Sequence, residues 1–304
     1  MKVVVTGANG FVGVPLVRAL VEAGDEVYAV SRSSRCPRLD AIAGLRRVQA
    51  DLNSEMGRER IAAVKSDVCV HAAWCTEPGK YLSAIDNLEL QCASLQLAKV
   101  LAERGCRRFL ALGTCIEYDT AFGYLSEDTP LAPRHLYAAA KAGTFISLQQ
   151  LAAVTGMKVV WARLFHLYGP GEPPARLVPS VVCPLLRGEQ AKTTLGEQLR
   201  DFLYVEDVAS ALTALVHSDV VGPVNVASGR PVTVASIVQQ AGELTGRPDL
   251  IHLGAMQYNP TDPMFMCANT QRLRAATGWK PSFTLADGLA KTVDWWRSNG
   301  PQAK

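Results

Sequence analysis

The chain of 304 residues lacks an apolar run long enough to span a membrane, any long block of basic residues, and any Cys-x-x-Cys pair. The first absence argues against a membrane protein. The second argues against a nucleic-acid partner, and the third against a zinc knuckle or a redox couple. No metal site is expected. A formal charge of only +3 selects no class of partner. Eight cysteines are present but scattered, mostly in apolar segments; Cys69 falls inside an expected strand and Cys106 just before one. They read as reduced, mostly buried thiols. The N-terminal strand runs into glycines too early for a secretory signal, so the expected location is the cytoplasm. With 48% hydrophobic residues the chain can bury a large core, as one large domain or two unequal ones. It carries no internal repeat.

What is present is most informative at the start, Val3-Val4-Val5-Thr6-Gly7-Ala8-Asn9-Gly10-Phe11-Val12-Gly13. Three valines read as a buried parallel strand, and Val14, Leu16, Val17 and Leu20 mark the apolar face of a following helix. Glycines at 7 and 10 allow a tight turn and close approach of a pyrophosphate, and Gly13 lets helix and sheet pack closely. Unpaired backbone donors at the helix start form an anion site. A dinucleotide is the expected ligand, although the spacing is not G-x-G-x-x-G.

Strands expected at 2–6, 26–30, 46–49, 67–71, 108–112 and 158–163 alternate with helices at 12–23, 55–64, 85–104 and 136–155. This predicts an α/β fold, a doubly wound parallel sheet covered on both faces. A helix at 205–217 and a strand at 224–226 resume the pattern after a break at Gly169-Pro170-Gly171-Glu172-Pro173-Pro174. Helices at 233–245, 270–276 and 285–298 and a strand at 264–268 complete a more mixed remainder. The expected division is a dinucleotide-binding domain of 1–168 and 201–229, and a smaller substrate-binding lobe of 169–200 and 230–304. That lobe would close over the carboxyl ends of the strands, where ligands bind in such sheets.

Tyr137 and Lys141 are four apart on an expected helix and share a face. A lysine beside a tyrosine, under a nicotinamide cation, favours phenolate and would let Tyr137 move a proton near neutral pH. Thr114 ends the strand Phe109–Leu112 in the expected crevice and can donate to a substrate oxygen. Asp51-Leu52 follows the third strand, where a carboxylate can accept from an adenine amine or simply sit in a loop. His71-Ala72-Ala73 closes the fourth strand; the alanines keep the chain close to the dinucleotide, while His71 is as readily structural as a contact. The end of the second strand reads Tyr28-Ala29-Val30-Ser31-Arg32-Ser33-Ser34-Arg35, without the carboxylate that accepts from an unphosphorylated ribose. Arg32, helped by Ser31 or Ser33, suits a 2′-phosphate. NADP(H) is therefore expected, with NAD(H) possible if Arg32 stacks on adenine instead.

These motifs, with Arg163-Leu164-Phe165-His166-Leu167-Tyr168-Gly169-Pro170 and Arg200-Asp201-Phe202-Leu203-Tyr204-Val205-Glu206-Asp207-Val208-Ala209, resemble an extended short-chain dehydrogenase/reductase. That class comprises the nucleotide-sugar epimerases, dehydratases and 4-ketoreductases, and the resemblance spans nearly the whole chain. It implies Tyr137 as acid/base, Lys141 as ribose anchor and pKa modulator, and Thr114 as carbonyl-oxygen donor. It further implies that Asn87 helps position the lysine-bearing helix and that Leu164 lies at the cofactor. On the substrate side it implies Cys115, His166, Arg176, Leu177 and a diphosphate-clamping Arg200, with Glu172, His135 and Tyr168 along the sugar pocket. The helices 85–104 and 136–155 resemble those through which the family forms a two-fold dimer.

Dehydratases of the class follow the threonine with Asp and Glu; here Cys115 and Ile116 stand there. Glu117 comes one position late, and on a strand-like segment one step changes the face. Also absent is an arginine in Tyr258-Asn259-Pro260-Thr261-Asp262-Pro263, where the class usually supplies a second one. The expected activity is NADPH-dependent reduction of a 4-keto (deoxy)sugar nucleotide, with Tyr137 as proton donor. An NAD-dependent nucleotide-sugar epimerase is the alternative enzyme. A non-catalytic dinucleotide-binding regulatory or structural protein is the alternative from another class.

Overall fold

Val3, Val4 and Val5 are fully buried and point alternately to the two faces of one central sheet. The computed structural model describes residues 1–33 and 36–300. In chain order the elements begin β1 (Lys2–Thr6), α1 (Gly13–Glu22), β2 (Glu26–Ser31), α2 (Pro37–Asp40), β3 (Arg46–Gln49), α3 (Glu55–Ala62), β4 (Val68–His71), α4 (Asp86–Glu103) and β5 (Arg108–Thr114). Then come β6 (Tyr124–Leu125), α5 (Leu136–Thr155), β7 (Lys158–Leu164), β8 (His166–Tyr168), α6 (Leu177–Leu186), β9 (Ala191–Lys192) and β10 (Leu199–Tyr204). The remainder is α7 (Val205–Val216), β11 (Gly222–Val226), β12 (Pro231–Thr233), α8 (Val234–Thr245), β13 (Ile251–His252), β14 (Phe265–Ala268), α9 (Gln271–Thr277) and α10 (Leu285–Asn299).

The central sheet has seven strands in the order β3-β2-β1-β4-β5-β7-β11. All its pairings are parallel, as expected for a doubly wound fold. The order reverses between β1 and β4, the switch point at whose carboxyl-end crevice such sheets bind their ligands. Val3 and Val5 pack with Leu16, Leu20, Leu212 and Leu215 from α1 and α7. Val4 packs with Ile61, Leu97, Leu101, Phe145 and Leu148 from α3, α4 and α5. Each such side chain contributes roughly 1.5–3 kcal/mol on burial, which is why both faces must be covered.

A second sheet runs β12-β10-β14-β6, with β8 also pairing β10. It draws β6 and β8 from before the break at 169, so strands from both halves of the chain meet in it. Behind it, Val181, Val182, Ile237, Val238, Leu289 and Val293 form the core of α6, α8 and α10. Asp201, fully buried on β10, accepts from the backbone of Ser228, Gly229 and Ala268 at 2.9, 2.9 and 3.2 Å. Asp207, at the start of α7, accepts from Ser282 and Phe283 N–H at 2.8 and 3.1 Å. Two buried carboxylates thus fasten the C-terminal segments to the central sheet. Among the described residues no helix is long and apolar enough to cross a membrane, and no His/Cys/Asp/Glu group is arranged to hold a metal. The eight cysteines are free, with only Cys75 and Cys92 exposed.

Candidate active site

The β1–α1 turn packs so closely on neighbouring backbone that Gly7 and Gly13 have no room for a side chain. Gly7 has φ +67°, and a Cβ there would lie 2.7 Å from the Ala72 carbonyl carbon and the Ala73 nitrogen. A Cβ on Gly13 would strike the Gly7 carbonyl and Ala8. Asn9 and Gly10 are exposed and Phe11 and Val12 half-buried, so the turn faces the crevice. Ala72 and Ala73 line its opposite wall. These residues fit a dinucleotide pyrophosphate at the start of α1.

At the end of β2 the Arg32 side chain is exposed, and its carbonyl accepts from Gln49 Nε2 at 3.2 Å. Ser31 Oγ donates to the Ser33 carbonyl at 2.7 Å, which turns that hydroxyl back onto its own loop. Ser34 and Arg35 lie outside the described residues. Asp51 is exposed and accepts from Asn53 N–H at 3.1 Å, while Leu52 and Leu164 are half-buried. His71 does not reach the crevice. Its Nδ1 meets Thr6 Oγ1 and its Nε2 meets Ser94 Oγ, both at 2.8 Å. Burial, with Lys141 adding to it, depresses its pKa to about 3. Both ring nitrogens have side-chain partners within the protein, the arrangement of a structural histidine.

Tyr137 enters on the first turn of α5, its N–H bonded to the Leu82 carbonyl at 3.0 Å. Its ring is edge-on to Tyr81 at 4.9 Å and to Trp74 at 6.3 Å. Burial raises the phenol's pKa, as do Tyr81, Glu117 and Cys115, while the Thr114 side chain works against them. Lys141, one turn on, is buried, and its Nζ donates to the Leu112 carbonyl at 2.8 Å. Burial lowers its pKa to about 7 against the opposing charge of Glu117. Among the protein's own groups, burial is thus the largest influence on the Tyr137 phenol and holds it above its ordinary value; the expected shift toward phenolate depends on a nicotinamide cation above the pair.

Two residues not anticipated, Trp74 and Tyr81, complete this cluster. The Trp74 ring lies 3.7 Å from Lys141 Nζ. Trp74 Nε1 donates to Asn87 Oδ1 at 2.8 Å, and Asn87 Nδ2 donates to the Tyr81 and Ala84 carbonyls at 2.7 and 2.8 Å. Asn87 therefore acts on the Trp74–Tyr81 side of the cluster, without a direct bond to the lysine-bearing helix. Its side-chain bonding groups are engaged there, leaving none of them unpartnered toward a cofactor. Arg176, expected near a nucleotide, donates to the Thr76 carbonyl at 3.2 Å and places its guanidinium 5.0 Å from the Tyr81 ring.

Below Thr114 lies a buried polar network. The segment after β5 is a 3-10 turn, Cys115–Glu117, and not a strand continuation. Glu117, fully buried, accepts from Thr114 N–H at 2.7 Å, Trp161 Nε1 at 2.9 Å and Arg163 Nε at 2.8 Å. Arg163 also donates to Tyr118 Oη at 2.9 Å, and Tyr118 donates to Asn225 Oδ1 at 2.8 Å. Glu117 is thus turned away from the reacting face, for a reason other than strand alternation. Cys115 is buried, and desolvation lifts its thiol to about 12.

On the other side of the crevice, His166, Glu172 and Arg200 each present a buried polar atom without a hydrogen-bond partner. Burial holds His166 neutral, its pKa near 3, with Arg200 and Arg176 adding to the effect. Burial raises Glu172 to about 8, against Arg176. Arg200 pairs with Asp262 at 2.9 Å. Leu177 is half-buried at the start of α6.

Residues 3–227 match the family model described as the NAD dependent epimerase/dehydratase family. The chain is similar to the CDP-abequose synthase of Salmonella typhimurium, with 27% identity over 96% of this chain and 97% of that protein. Its fold superposes on MoeE5 in complex with UDP-glucuronic acid and NAD, with a TM-score of 0.84, 29% identity and coverage of 98% and 99%. It is also similar to TunA, an NAD dependent NDP-hexosamine 5,6-dehydratase involved in tunicamycin biosynthesis, with a TM-score of 0.86, 26% identity and 98% of each chain covered.

Proposed function

The chain belongs to the NAD dependent epimerase/dehydratase family, and on that premise we propose that it reduces the 4-keto group of a (deoxy)sugar nucleotide with NADPH. It is an NAD(P)-dependent short-chain dehydrogenase/reductase of the nucleotide-sugar epimerase/dehydratase type. The observation that carries the finer reading is the placing of Tyr137, buried on the first turn of α5 near the Thr114 side chain, with burial holding its phenol above the ordinary value. A phenol beside a hydroxyl is set to donate to a carbonyl oxygen, which reduction requires. Elimination of water would need a further acid and base, and Cys115 and Ile116 supply neither while Glu117 is bound to Trp161 and Arg163.

When bound, the dinucleotide supplies the hydride. Thr114 Oγ1 holds the substrate oxygen by a hydrogen bond, and Tyr137 Oη gives it the proton. Lys141 carries positive charge beside the tyrosine and offsets the charge left there. Gly7, Asn9, Gly10, Phe11, Val12 and Gly13 cradle the pyrophosphate, with Ala72, Ala73 and Leu164 against the rest of the cofactor. Ser31, Arg32, Asp51 and Leu52 take its adenosine end. The exposed Arg32, with no carboxylate at the end of β2, supports NADPH over NADH. Arg200, Arg176, His166, Cys115 and Leu177 face the sugar nucleotide, and exposed Leu88 and Ile146 on α4 and α5 suit a two-fold dimer. The MoeE5 complex contains NAD, which favours epimerisation as the second reading; it would use the same Tyr137, Lys141 and Thr114.

The test is to identify the dinucleotide released from freshly purified protein and then to follow NADPH oxidation with 4-keto sugar nucleotides. An empty protein that prefers NADPH and turns these substrates over is the expected result. Near-stoichiometric retained NAD⁺, with interconversion of sugar epimers, would replace this reading with the epimerase.

A further inference from the structure

We infer that Asp262 is a built-in competitor for Arg200, occupying the arginine's charge until the phosphate of a substrate nucleotide displaces it. The inference rests on the nucleotide-sugar reading above. It concerns the one segment in which the chain carries an acid and lacks an expected arginine.

Arg200 is fixed on β10 and only 4% exposed, its Nη1 donating to the Leu199 carbonyl at 3.0 Å. Its Nη2 lies 2.9 Å from Asp262 Oδ2, yet the approach lacks hydrogen-bond alignment and Nη2 remains without an acceptor. Asp262 meets the charge of the guanidinium and leaves that donor unsatisfied. A phosphate, with several oxygens around one centre, can satisfy both.

The two partners differ in freedom. The Asp262 side chain is 45% exposed, so it can return to water at little cost, whereas the buried Arg200 cannot. The turn that carries Asp262 has bonds of its own and is anchored at its ends, where Leu199 N–H donates to the Met264 carbonyl at 2.8 Å and Glu197 N–H to Tyr258 Oη at 3.1 Å. Asp262 N–H bonds to the Asn259 carbonyl at 3.0 Å, and Thr261 N–H to Asn259 Oδ1 at 3.1 Å. Outside the turn, Tyr258 Oη donates to Glu197 Oε2 at 3.2 Å. His166 stands in register beside β10, opposite Phe202, with its Nε2 also unpartnered. Arg200 Nη2 and His166 Nε2 are therefore two unfilled polar positions on one wall, with a removable carboxylate at one of them.

An exchange of this kind makes the bare protein discriminate against weak anions. A ligand must match the tethered carboxylate before it gains anything from Arg200. The experiment is calorimetric titration of cofactor-loaded wild type and Asp262→Asn with UDP, CDP, dTDP and inorganic pyrophosphate, each fold checked by thermal melting. Asp262→Asn is expected to bind the nucleoside diphosphates about two- to fivefold more tightly, the factor that corresponds to one modest ion pair. Pyrophosphate should gain in parallel, because the competition is for charge. Unchanged or weaker binding in the variant overturns the inference, the weaker case making Asp262 a ligand contact instead. If neither protein binds any nucleoside diphosphate, the nucleotide-sugar reading itself fails and the inference falls with it.

Discussion

The indole of Trp74 covers the ammonium of Lys141, with Nζ 3.7 Å from the ring centroid. These residues are far apart in sequence and meet because β4 and α5 converge on one crevice. The ammonium has one hydrogen-bond acceptor, the Leu112 carbonyl, so the ring supplies much of what keeps a buried cation tolerable. Trp74→Phe retains a ring face and loses the bond to Asn87; Trp74→Leu loses both. The pH profile of turnover should move little in the first and clearly in the second, since a desolvated cation–π contact is worth about 2 kcal/mol. Equal displacement in the two variants would mean that the Asn87 bond, and not the ring, is what matters.

Removing the proton donor separates chemistry from binding. Tyr137→Phe is predicted to lower kcat by about 10²–10⁴, the range for a lost general acid, with dinucleotide affinity little changed. Thr114→Val should lower it by about 10²–10³, as for one lost donor to a developing oxyanion. Single-turnover measurements at saturating substrate check both. A kcat of Tyr137→Phe within a factor of a few of wild type would remove this residue from the mechanism.

Lys141 also predicts a stability trend. In the folded protein burial lowers its pKa to about 7, while in the unfolded chain it keeps the ordinary value of about 10.4. Between these values the unfolded state holds the proton and the folded state does not, so this group makes stability rise with pH across that window. Below it, folding must bury the charge, and the penalty is complete. Lys141→Met should therefore be more stable than wild type near neutrality by about 1–3 kcal/mol. The gain should shrink as pH approaches about 10. Denaturant melts of both proteins at several pH values measure it; a gain that is constant with pH would refute the titration argument.

Glu117 should behave as a structural keystone under the site. Glu117→Ala leaves Arg163 charged and buried and frees the Thr114 N–H, and is predicted to destabilise the fold by about 3–5 kcal/mol. Glu117→Gln keeps the shape and part of the hydrogen bonding, so it should lose less. Urea unfolding of the two variants gives the comparison, and equal small losses in both would contradict the buried-pair account.

Much of this was legible in the residues themselves. The valine run and its glycine turn announce β1 and α1, because a fully buried strand needs no polar alternation and Gly7 and Gly13 leave no room for side chains. Other parts were hidden for physical reasons. The helix α6 carries Pro179 and Pro184 and is apolar nearly throughout, so neither periodicity nor propensity marks it. The strand β10 contains buried Arg200 and Asp201 where a hydrophobic pattern would place apolar residues. The direction of Glu117 depends on a 3-10 turn whose partners, Trp161 and Arg163, come from a strand more than forty residues on. Trp74 carries no signal of its own in the sequence, since its partners Asn87 and Lys141 are brought to it only by tertiary packing.

The network of Glu117, Trp161, Arg163, Tyr118 and Asn225 has a bearing on how such an enzyme changes through evolution. Its members hold one another in the dry interior, with Arg163 Nη2 left without a partner among the described residues, so a single replacement strands a further charge or donor. The wall bearing His166, Glu172 and Arg200 still has polar atoms without partners, and the turn at Asp262 stands partly in water. Single replacements are accordingly better tolerated along that wall than in the buried floor beneath Thr114.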